Sequence, residues 1–332
     1  MSRLGRAVAL GATLIAVALL AAAAIALGGD DDELPRADVP GFQDTVAKAL
    51  PSVVQIESGD ALGSGVVLDG DGHVVTNAHV VTGARRFVVT APDGSRHPAE
   101  LRGTFPEGDL AVIRVSGADL KPATFADSSA VEVGEIALAI GNPLGLRGSV
   151  TQGIVSSTSR TVPEGGGVAL PSVIQTSAPI NPGNSGGALV DATGAVIGIP
   201  TLAAADPQMG GGAAVGIGFA ISSNTVRSIA GQLARTGRVE RSQRAWLGVE
   251  LRSLPRGGVV VVGVTPGGPA ARAGLSAGEA IATIAGHRVA SADDIALVLA
   301  REQPGDAVEI KLLGPAGARS VRATLGEIPP AG

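Results

Sequence analysis

Three residues of different types could together hydrolyse an amide bond. His79 lies in the stretch TNAHVV, Asp109 in GDLAVI and Ser185 in NPGNSGGAL, in that chain order. A serine hydroxyl is a weak nucleophile until a base removes its proton, and a histidine base needs a carboxylate that fixes its tautomer. The flanking glycines would let the N–H groups of Gly183 and Ser185 face a developing oxyanion. The pattern therefore predicts His79, Asp109 and Ser185 as the catalytic residues of a serine hydrolase.

The serine motif also satisfies the G-x-S-x-G pattern of α/β-hydrolases, so that class must be tested. In α/β-hydrolases the acid and the histidine follow the nucleophile, and a helix begins directly after it. Here the one histidine after Ser185 is His287, which lies in a separate C-terminal domain, and residues 188–199 read as strand, turn and strand. Chain order and local pattern both favour the chymotrypsin-like arrangement.

The elements around these motifs are short runs rich in Val and Ile, separated by glycine turns, as at 64–68, 73–76 and 110–115. Many short strands at close spacing predict antiparallel barrels or a sandwich. Asp69 to Gly72 predicts a hairpin turn, because the later ligands of a calcium loop are absent. A helix is predicted between Ser222 and Gly237.

Composition limits the other possibilities. A length of 332 residues predicts two domains, and 49 Gly with five Phe, one Trp and no Tyr predict cores of small aliphatic residues rather than long helices. The net charge is −5 and the basic residues are scattered, so nucleic acid is a poor candidate partner. The absence of cysteine excludes thiol catalysis and cysteine-based metal sites.

The N-terminus reads as a membrane segment. Ala7 to Gly29 is uncharged, with Arg3 and Arg6 before it and four acidic residues after it. It is longer than the apolar part of a signal peptide and matches the roughly 20 residues that span a bilayer. We expect an uncleaved signal anchor that leaves the rest of the chain outside the cytoplasmic membrane. The alternative is a cleaved signal peptide and a secreted protein.

The motifs at His79, Asp109 and Ser185 resemble those of the HtrA (Deg) serine proteases. Further matching stretches are Gly63-Ser64-Gly65, 139–143 and 216–221, and the resemblance covers about residues 42–328. It implies a mainly β protein in which a chymotrypsin-like double β-barrel protease domain is followed by an α+β PDZ domain. It also implies that His79 is the general base, Asp109 its orienting acid and Ser185 the nucleophile, with no cofactor or metal. The other histidines, His73, His97 and His287, are expected at the surface or in turns.

The resemblance and the sequence pattern together give five segments. They are a signal anchor or transmembrane segment at 1–29, a linker at 30–41, a trypsin-like serine protease domain at 42–237, a linker at 238–244 and a PDZ domain at 245–329.

In the PDZ domain, Leu247, Gly248 and Val249 occupy the position of the carboxylate-binding loop. The backbone N–H groups of such a loop capture a peptide C-terminus, while the peptide adds as a strand beside a helix, here one that begins at Ser291. The helix residues expected to face the peptide are Ile295, Val298 and Leu299.

The resemblance also indicates specificity and control. Pro179 would form the floor of the S1 pocket and Ile180 would narrow it, which favours small aliphatic P1 residues over Lys or Arg. Two glycine-rich segments, 163–167 and 209–213, correspond to activation loops that order the oxyanion hole when a PDZ ligand or substrate binds. Arg160 lies near the position of a loop arginine that assists this switch in relatives.

The sequence therefore predicts a membrane-anchored serine endopeptidase of the bacterial cell envelope. Its expected partners are unfolded or specific protein substrates, C-terminal peptides at the PDZ domain, and the membrane. Relatives imply a homotrimer built through the protease domain, although Phe42 is the lone aromatic residue near its start. The alternative function is a tethered PDZ-based binding or chaperone protein with little proteolysis.

Overall fold

The computed structural model describes residues 41–59, 61–142, 149–165, 168–181, 183–206, 212–255, 257–314 and 317–329. The signal anchor predicted at 1–29, and all but the last residue of the linker predicted at 30–41, lie outside these ranges. Within them, no helix is both long enough and apolar enough to cross a membrane.

The first barrel is a closed antiparallel sheet of six strands in the order β1-β2-β3-β6-β5-β4. Its strands are β1 (Val53–Ser58), β2 (Ala61–Val67), β3 (His73–Thr76), β4 (Arg86–Thr90), β5 (Arg96–Phe105) and β6 (Leu110–Val115). Helix α1 (Phe42–Ala49) and a 3-10 turn (Leu50–Ser52) precede it, helix α2 (Ala78–Val81) follows β3, and a second 3-10 turn (Pro106–Gly108) precedes β6. Val and Ile residues supply the strands, because β-branched side chains pack well on a pleated surface.

The second barrel repeats this closure with the order β10-β11-β12-β9-β8-β7. Its strands are β7 (Ile136–Gly141), β8 (Ser149–Gly165), β9 (Val168–Thr176), β10 (Ala188–Val190), β11 (Val196–Asp206) and β12 (Gly212–Ser222). A 3-10 turn (Ser128–Ala130) leads into it and helix α3 (Ser223–Thr236) follows it. The helix ends where Gly237 adopts φ +76°, a left-handed value that suits glycine.

A shared core joins the two barrels. Val66, Val75 and Leu110 of the first barrel form one buried cluster with Ile140 and Ile199 of the second. Helix α3 adds its apolar face, including Val226, Ile229 and Leu233, to the same cluster. Because buried apolar area is the main source of stability, this cluster holds the barrels against each other. The edges at which the barrels meet therefore keep a fixed geometry.

The C-terminal part is a smaller α+β unit. A sheet in the order β14-β15-β16-β18-β19, with β17 paired to β16, is accompanied by a two-stranded sheet of β13 and β20. The strands are β13 (Ala245–Trp246), β14 (Val249–Ser253), β15 (Val259–Val264), β16 (Ala280–Ile284), β17 (His287–Arg288), β18 (Ala307–Gly314), β19 (Gly317–Thr324) and β20 (Gly326–Glu327), and the helices are α4 (Pro269–Arg272) and α5 (Ala292–Leu299). Ser291 begins α5 with a capping box shared with Asp294, so the predicted start of this helix is correct.

The single tryptophan, Trp246, is accommodated by small residues. A Cβ atom built on Gly248 or on Gly268 would lie 3.1 or 3.3 Å from its ring, and one on Gly326 would lie 3.5 Å away. These distances are at or below ordinary van der Waals contact. Glycine at these positions thus lets the backbone lie against the indole, next to the loop that leads into β14.

Candidate active site

His79 and Asp109 meet at the open end of the first barrel. His79 lies in α2, directly after β3, and Asp109 lies between the 3-10 turn Pro106–Gly108 and β6. The ring Nδ1 of His79 lies 3.0 Å from Asp109 Oδ1 and 2.9 Å from Oδ2. The histidine side chain is 47% exposed while the carboxylate is 2% exposed. The ring therefore has one nitrogen held by a buried carboxylate while the side chain as a whole is about half exposed, which suits a histidine base.

The Asp109 carboxylate is held by further donors. Its Oδ1 accepts the backbone N–H of His79 at 3.1 Å, and its Oδ2 accepts the Thr201 hydroxyl at 2.5 Å. Asn77 fixes the residue from the other side, because its side-chain amide donates to the Asp109 carbonyl at 3.0 Å. Asp109 has φ +47°, an unusual value for a residue other than glycine. A buried charge is costly unless it is hydrogen-bonded, and these donors offset that cost.

Ser185 comes from the second barrel, in the turns that precede β10. Its side chain is half-buried and its hydroxyl donates to the Thr201 carbonyl at 3.3 Å. Thr201 thus contacts the carboxylate through its side chain and the serine through its backbone. For Ser185 to act as the predicted nucleophile, a base must receive its hydroxyl proton, which requires that this hydroxyl turn away from the Thr201 carbonyl.

Thr201 carries no motif and was missed by the sequence analysis. It lies in β11, where the pairing with β12 shifts register between Pro200 and Leu202. Such a bulge leaves one residue outside the regular ladder and re-aims its side chain, and bulges are common beside active sites. A lone threonine in an apolar strand gives no signal of this contact.

The backbone before Ser185 forms a tight turn. The N–H of Asn184 donates to the Asn181 carbonyl at 3.0 Å, and Gly183 has φ +103°. Glycine adopts a positive φ without the strain that a side chain would bring.

The two residues predicted at the S1 pocket have different environments. Pro179 is exposed, and its carbonyl accepts the Thr151 hydroxyl at 2.7 Å. Ile180 is buried in the core of the second barrel, where a Cβ built on Gly218 would lie 2.4 Å from its side chain. Ile180 thus fills space that glycine at position 218 leaves open.

The predicted peptide-binding loop starts at a buried residue and leads into an edge strand. Leu247 is buried, Gly248 has φ +77°, and Val249 begins β14. The Leu247 carbonyl accepts the Ala270 N–H and the Gly248 carbonyl accepts the Thr265 N–H, so both carbonyls are engaged within the domain. Ile295 and Leu299 of α5 lie across from this loop, around a cavity of about 190 Å³.

The same cavity is also lined by residues of the protease part, including Glu107, Ala169 and Pro171. The Arg244 guanidinium, which precedes β13, donates to the carbonyls of Glu107 and Ala169. Glu107 lies in the 3-10 turn just before Asp109, and Ala169 lies in β9. The groove beside β14 is therefore in direct contact with the barrel that carries Ser185 and with the turn that carries Asp109.

The remaining predicted residues lie apart from these contacts. Arg160 is exposed on β8 opposite Val173. Of the two glycine-rich segments, residues 166–167 of the first and 209–211 of the second lie outside the described ranges. His287 is exposed and His97 is half-buried, with its Nε2 2.8 Å from the Ser95 hydroxyl.

Asp69, Asp71 and His73 place possible metal ligands within 4.8 Å of one another. Asp69 Oδ1 accepts the N–H groups of Asp71 and His73, while Oδ2 lies 2.8 Å from His73 Nδ1. These bonds tie the residues together as the hairpin turn that the sequence predicts.

Comparison with known proteins follows the same division of the chain. The trypsin-like peptidase domain family matches residues 63–199 and the PDZ domain family matches residues 245–321. A probable periplasmic DegP-like serine endoprotease of Halomonas elongata is 38% identical over 280 residues, which is 81% of this chain and 57% of the relative. The serine protease PepD of Mycobacterium tuberculosis is 36% identical over 322 residues, 89% of this chain and 68% of the relative. The chain thus spans little more than half the length of the DegP-like relatives.

Solved structures agree in fold. An HtrA-type protease, AlgW, solved with a tripeptide, gives a TM-score of 0.60 at 36% identity and covers 88% of this chain and 99% of that one. The serine endoprotease from Yersinia pestis gives a TM-score of 0.58 at 32% identity and covers 86% of this chain and 98% of that one. The predicted mainly β, trypsin-like protease fold with a following PDZ domain is confirmed. The chain belongs to the family of HtrA-type serine endoproteases.

Proposed function

We propose that this chain cleaves peptide bonds with a triad of His79, Asp109 and Ser185. The observation that carries the proposal is the buried Asp109 carboxylate, held at 2.9 Å from His79 Nδ1. Thr201 supports it, because it contacts both Asp109 and Ser185. With the ring proton held on Nδ1, the opposite nitrogen of His79 is the one that can accept the Ser185 proton.

The reaction then proceeds in two steps. The Ser185 oxygen attacks the substrate carbonyl as its proton passes to His79, and the oxyanion that forms is stabilised by the N–H groups of Gly183 and Ser185. When the C–N bond breaks, His79 gives its proton to the leaving amine, and an acyl ester remains on Ser185. Water, deprotonated by His79, hydrolyses the ester and restores the enzyme. The left-handed φ of Gly183 supports its assignment as an oxyanion donor.

Substrate choice follows from the pocket residues. Pro179 carries no charge to pair with a Lys or Arg side chain, and Ile180 lies among apolar residues of the second barrel. We assign small aliphatic P1 residues, such as Val and Ala, to this S1 pocket. A peptide-library profile dominated by basic P1 residues would contradict the assignment.

The PDZ domain captures peptide C-termini in the proposal. β14 is at the edge of its sheet, so a peptide can add beside it as a further strand. The N–H groups at Leu247, Gly248 and Val249 receive the terminal carboxylate, and the apolar side chains of α5 receive the last residue. Val298, by contrast, is not among the residues around the cavity and packs in the core of the domain.

Binding at this groove controls proteolysis in the proposal. Protease residues line the groove, and Arg244 ties it to the turn before Asp109. A peptide in the groove therefore acts on contacts of the catalytic barrels directly, and the segments 163–167 and 209–213, with Arg160, are assigned to the resulting switch. AlgW, which was solved with peptides, is a structural relative of the chain.

The setting is proposed from sequence and relatives. Relatives described as periplasmic support an extracytoplasmic protease that acts on unfolded or regulatory proteins. We assign residues 1–29 to the membrane anchor, 42–237 to the protease domain and 245–329 to the PDZ domain. We further propose that three copies of the chain form a homotrimer.

One experiment tests the catalytic and the regulatory parts together. Digestion of denatured casein is measured for the wild-type protein and for Ser185→Ala, with and without a peptide that ends in an aliphatic residue with a free carboxylate. We expect digestion by the wild type, an increase with peptide, and none with Ser185→Ala. Equal digestion by Ser185→Ala would refute the triad, and a rate independent of the peptide would refute the control.

A further inference from the structure

Ser64 contacts the nucleophile loop more closely than its place in the chain suggests. It lies within β2 of the first barrel and is fully buried. Its hydroxyl donates to the Gly183 carbonyl at 2.5 Å and accepts the Asn142 N–H at 2.8 Å. Its own N–H donates to the Ser185 carbonyl at 3.0 Å. One residue thus binds the carbonyls of both residues whose N–H groups are assigned to the oxyanion.

The hydrogen-bond partners of the Ser64 hydroxyl determine which group it donates to. A serine hydroxyl has one proton to donate, and an N–H group can only donate. Because Asn142 donates to the Ser64 oxygen, the Ser64 proton is free to point at Gly183. A donor on an oxygen strengthens the bond that the same hydroxyl makes, and burial strengthens both. The chain from Asn142 through Ser64 to Gly183 therefore holds the Gly183 carbonyl in one direction.

Glycines allow the loop that carries Ser185 to lie close to Ser64. A Cβ on Gly141 would lie 2.7 Å from the Gly183 carbonyl oxygen, and a Cβ on Gly186 would lie 2.3 Å from the Ser64 carbonyl oxygen. Both distances are shorter than real Cβ contacts. The stretches 63–65 and 139–142, which the triad does not use, thus form a surface shaped for the loop that carries Ser185.

We propose that Ser64 is a positioning residue, which sets the place of the Gly183 and Ser185 N–H groups. The proposal rests on the assignment of these groups as oxyanion donors. Donors stabilise the transition state only when they are held in place before the reaction, and errors of about 0.5 Å matter. Without the Ser64 hydroxyl, the Gly183 carbonyl and the Asn142 N–H lose their partner, and the turn at Gly183 loses its anchor in the first barrel.

The alternative interpretation is that Ser64 is a buried serine whose hydrogen bonds have only a structural role. Ser58 offers a matched comparison, because it is also buried and lies in the neighbouring strand β1. Within the described part of the chain, the Ser58 hydroxyl has no hydrogen-bond partner. Replacing Ser58 by Ala therefore removes a buried hydroxyl from the same barrel without touching the loop.

The experiment compares Ser64→Ala with Ser58→Ala in the full chain, using an aliphatic chromogenic peptide. We expect kcat to fall about 10- to 100-fold in Ser64→Ala, less than for loss of an oxyanion donor, while KM stays within about twofold. The Ki of a peptidyl trifluoromethyl ketone, which forms an ionised adduct with the serine, should rise by the same factor as kcat falls, while the matching alcohol binds unchanged. Ser58→Ala should behave as wild type in every assay.

A second variant guards against misfolding. Ser64→Cys keeps a similar shape and a weak donor, so its kcat should lie between those of the wild type and Ser64→Ala. Thermal unfolding verifies that each variant is folded. Wild-type kcat and trifluoromethyl ketone affinity in a folded Ser64→Ala, or in Ser64→Cys should the alanine variant not fold, overturn the proposal. Ser185→Ala separates the two levels: activity in that variant refutes the triad, whereas an inactive Ser185→Ala beside a fully active Ser64→Ala refutes the role of Ser64 alone.

Discussion

Asp109→Asn is the most informative single change. The Asp and Asn side chains have the same shape and differ only in which of their atoms can accept a hydrogen bond. The carboxylate receives three donors: the His79 backbone N–H, His79 Nδ1 and the Thr201 hydroxyl. An asparagine amide has one acceptor oxygen and one NH2 group that can only donate. If its oxygen takes the place of Oδ1, where it faces the His79 N–H, its NH2 group takes the place of Oδ2, which lies 2.9 Å from the imidazole Nδ1.

This NH2 group favours an imidazole that accepts at Nδ1 and carries its proton on the other ring nitrogen, which in the proposed triad faces Ser185. A nitrogen that already holds a proton cannot remove one from the serine. In a His-Asp-Ser triad the same exchange costs about 10⁴ in kcat, or about 5.5 kcal/mol of barrier at 1.36 kcal/mol per factor of ten. We expect a loss of that size with little change in KM, since Asp109 is buried and does not reach the substrate.

The assay is hydrolysis of an aliphatic chromogenic peptide, with thermal unfolding to verify the fold. Asp119→Asn, which removes an exposed carboxylate in the segment after β6, is the control and should retain wild-type kcat. A folded Asp109→Asn with kcat within tenfold of wild type would refute the assignment of His79 as the base.

Three further predictions concern stability. Thr201→Val removes the donor to Asp109 while keeping the shape, so the free energy of unfolding in urea should fall by about 1.5–3 kcal/mol, and an unchanged value would contradict the bond. The pKa of Glu279 lies below its ordinary value of 4.5, and the main cause is the hydrogen bond from Arg319. The stabilisation that this pair gives the fold is therefore present above pH 4.5 and is lost as the pH falls through the folded pKa. Arg319→Met should weaken that pH dependence in thermal scans below pH 5, and a slope equal to wild type would exclude the pair as its source. Gly186→Ala forces φ +79° on a non-glycine residue and places a Cβ 2.3 Å from a facing carbonyl oxygen, so it should lower the thermal midpoint and abolish casein digestion, and a wild-type midpoint would show that the loop yields.

The fold could be predicted from the sequence because the patterns that indicate its strands and helices are local. Short runs of Val and Ile with glycine turns predict strands, and the motifs around His79 and Ser185 indicate the trypsin-like double barrel. The helix start at Ser291 carries its own capping pattern. The predicted roles of the triad residues remain predictions, although the structure brings His79 and Asp109 into contact.

Two contacts could not be predicted from the sequence, because the packing of the second barrel on the first creates them. Thr201 reaches Asp109 across 92 positions of the chain, and Ser64 reaches Gly183 across 119. A threonine in an apolar strand and a serine between glycines each have a plain local explanation. Only the docking of the second barrel on the first gives their hydroxyl groups a partner in the site.

The contact between the PDZ groove and the protease was likewise invisible in sequence. β8 and β9 form a long hairpin whose strands lie against α5. The sequence predicts a flexible glycine segment near residue 165, but no pattern shows how far the hairpin extends. That Ala169 and Glu107 line the groove is therefore seen only in the three-dimensional packing.

The division of the site between the barrels has a consequence for the newly made chain. His79 and Asp109 belong to the first barrel, while Ser185 and Thr201 belong to the second. A chain that has produced only its first barrel lacks Ser185, the proposed nucleophile, and Thr201, the donor to Asp109. If His79, Asp109 and Ser185 form the proposed triad, proteolysis begins only after the second barrel has folded against the first.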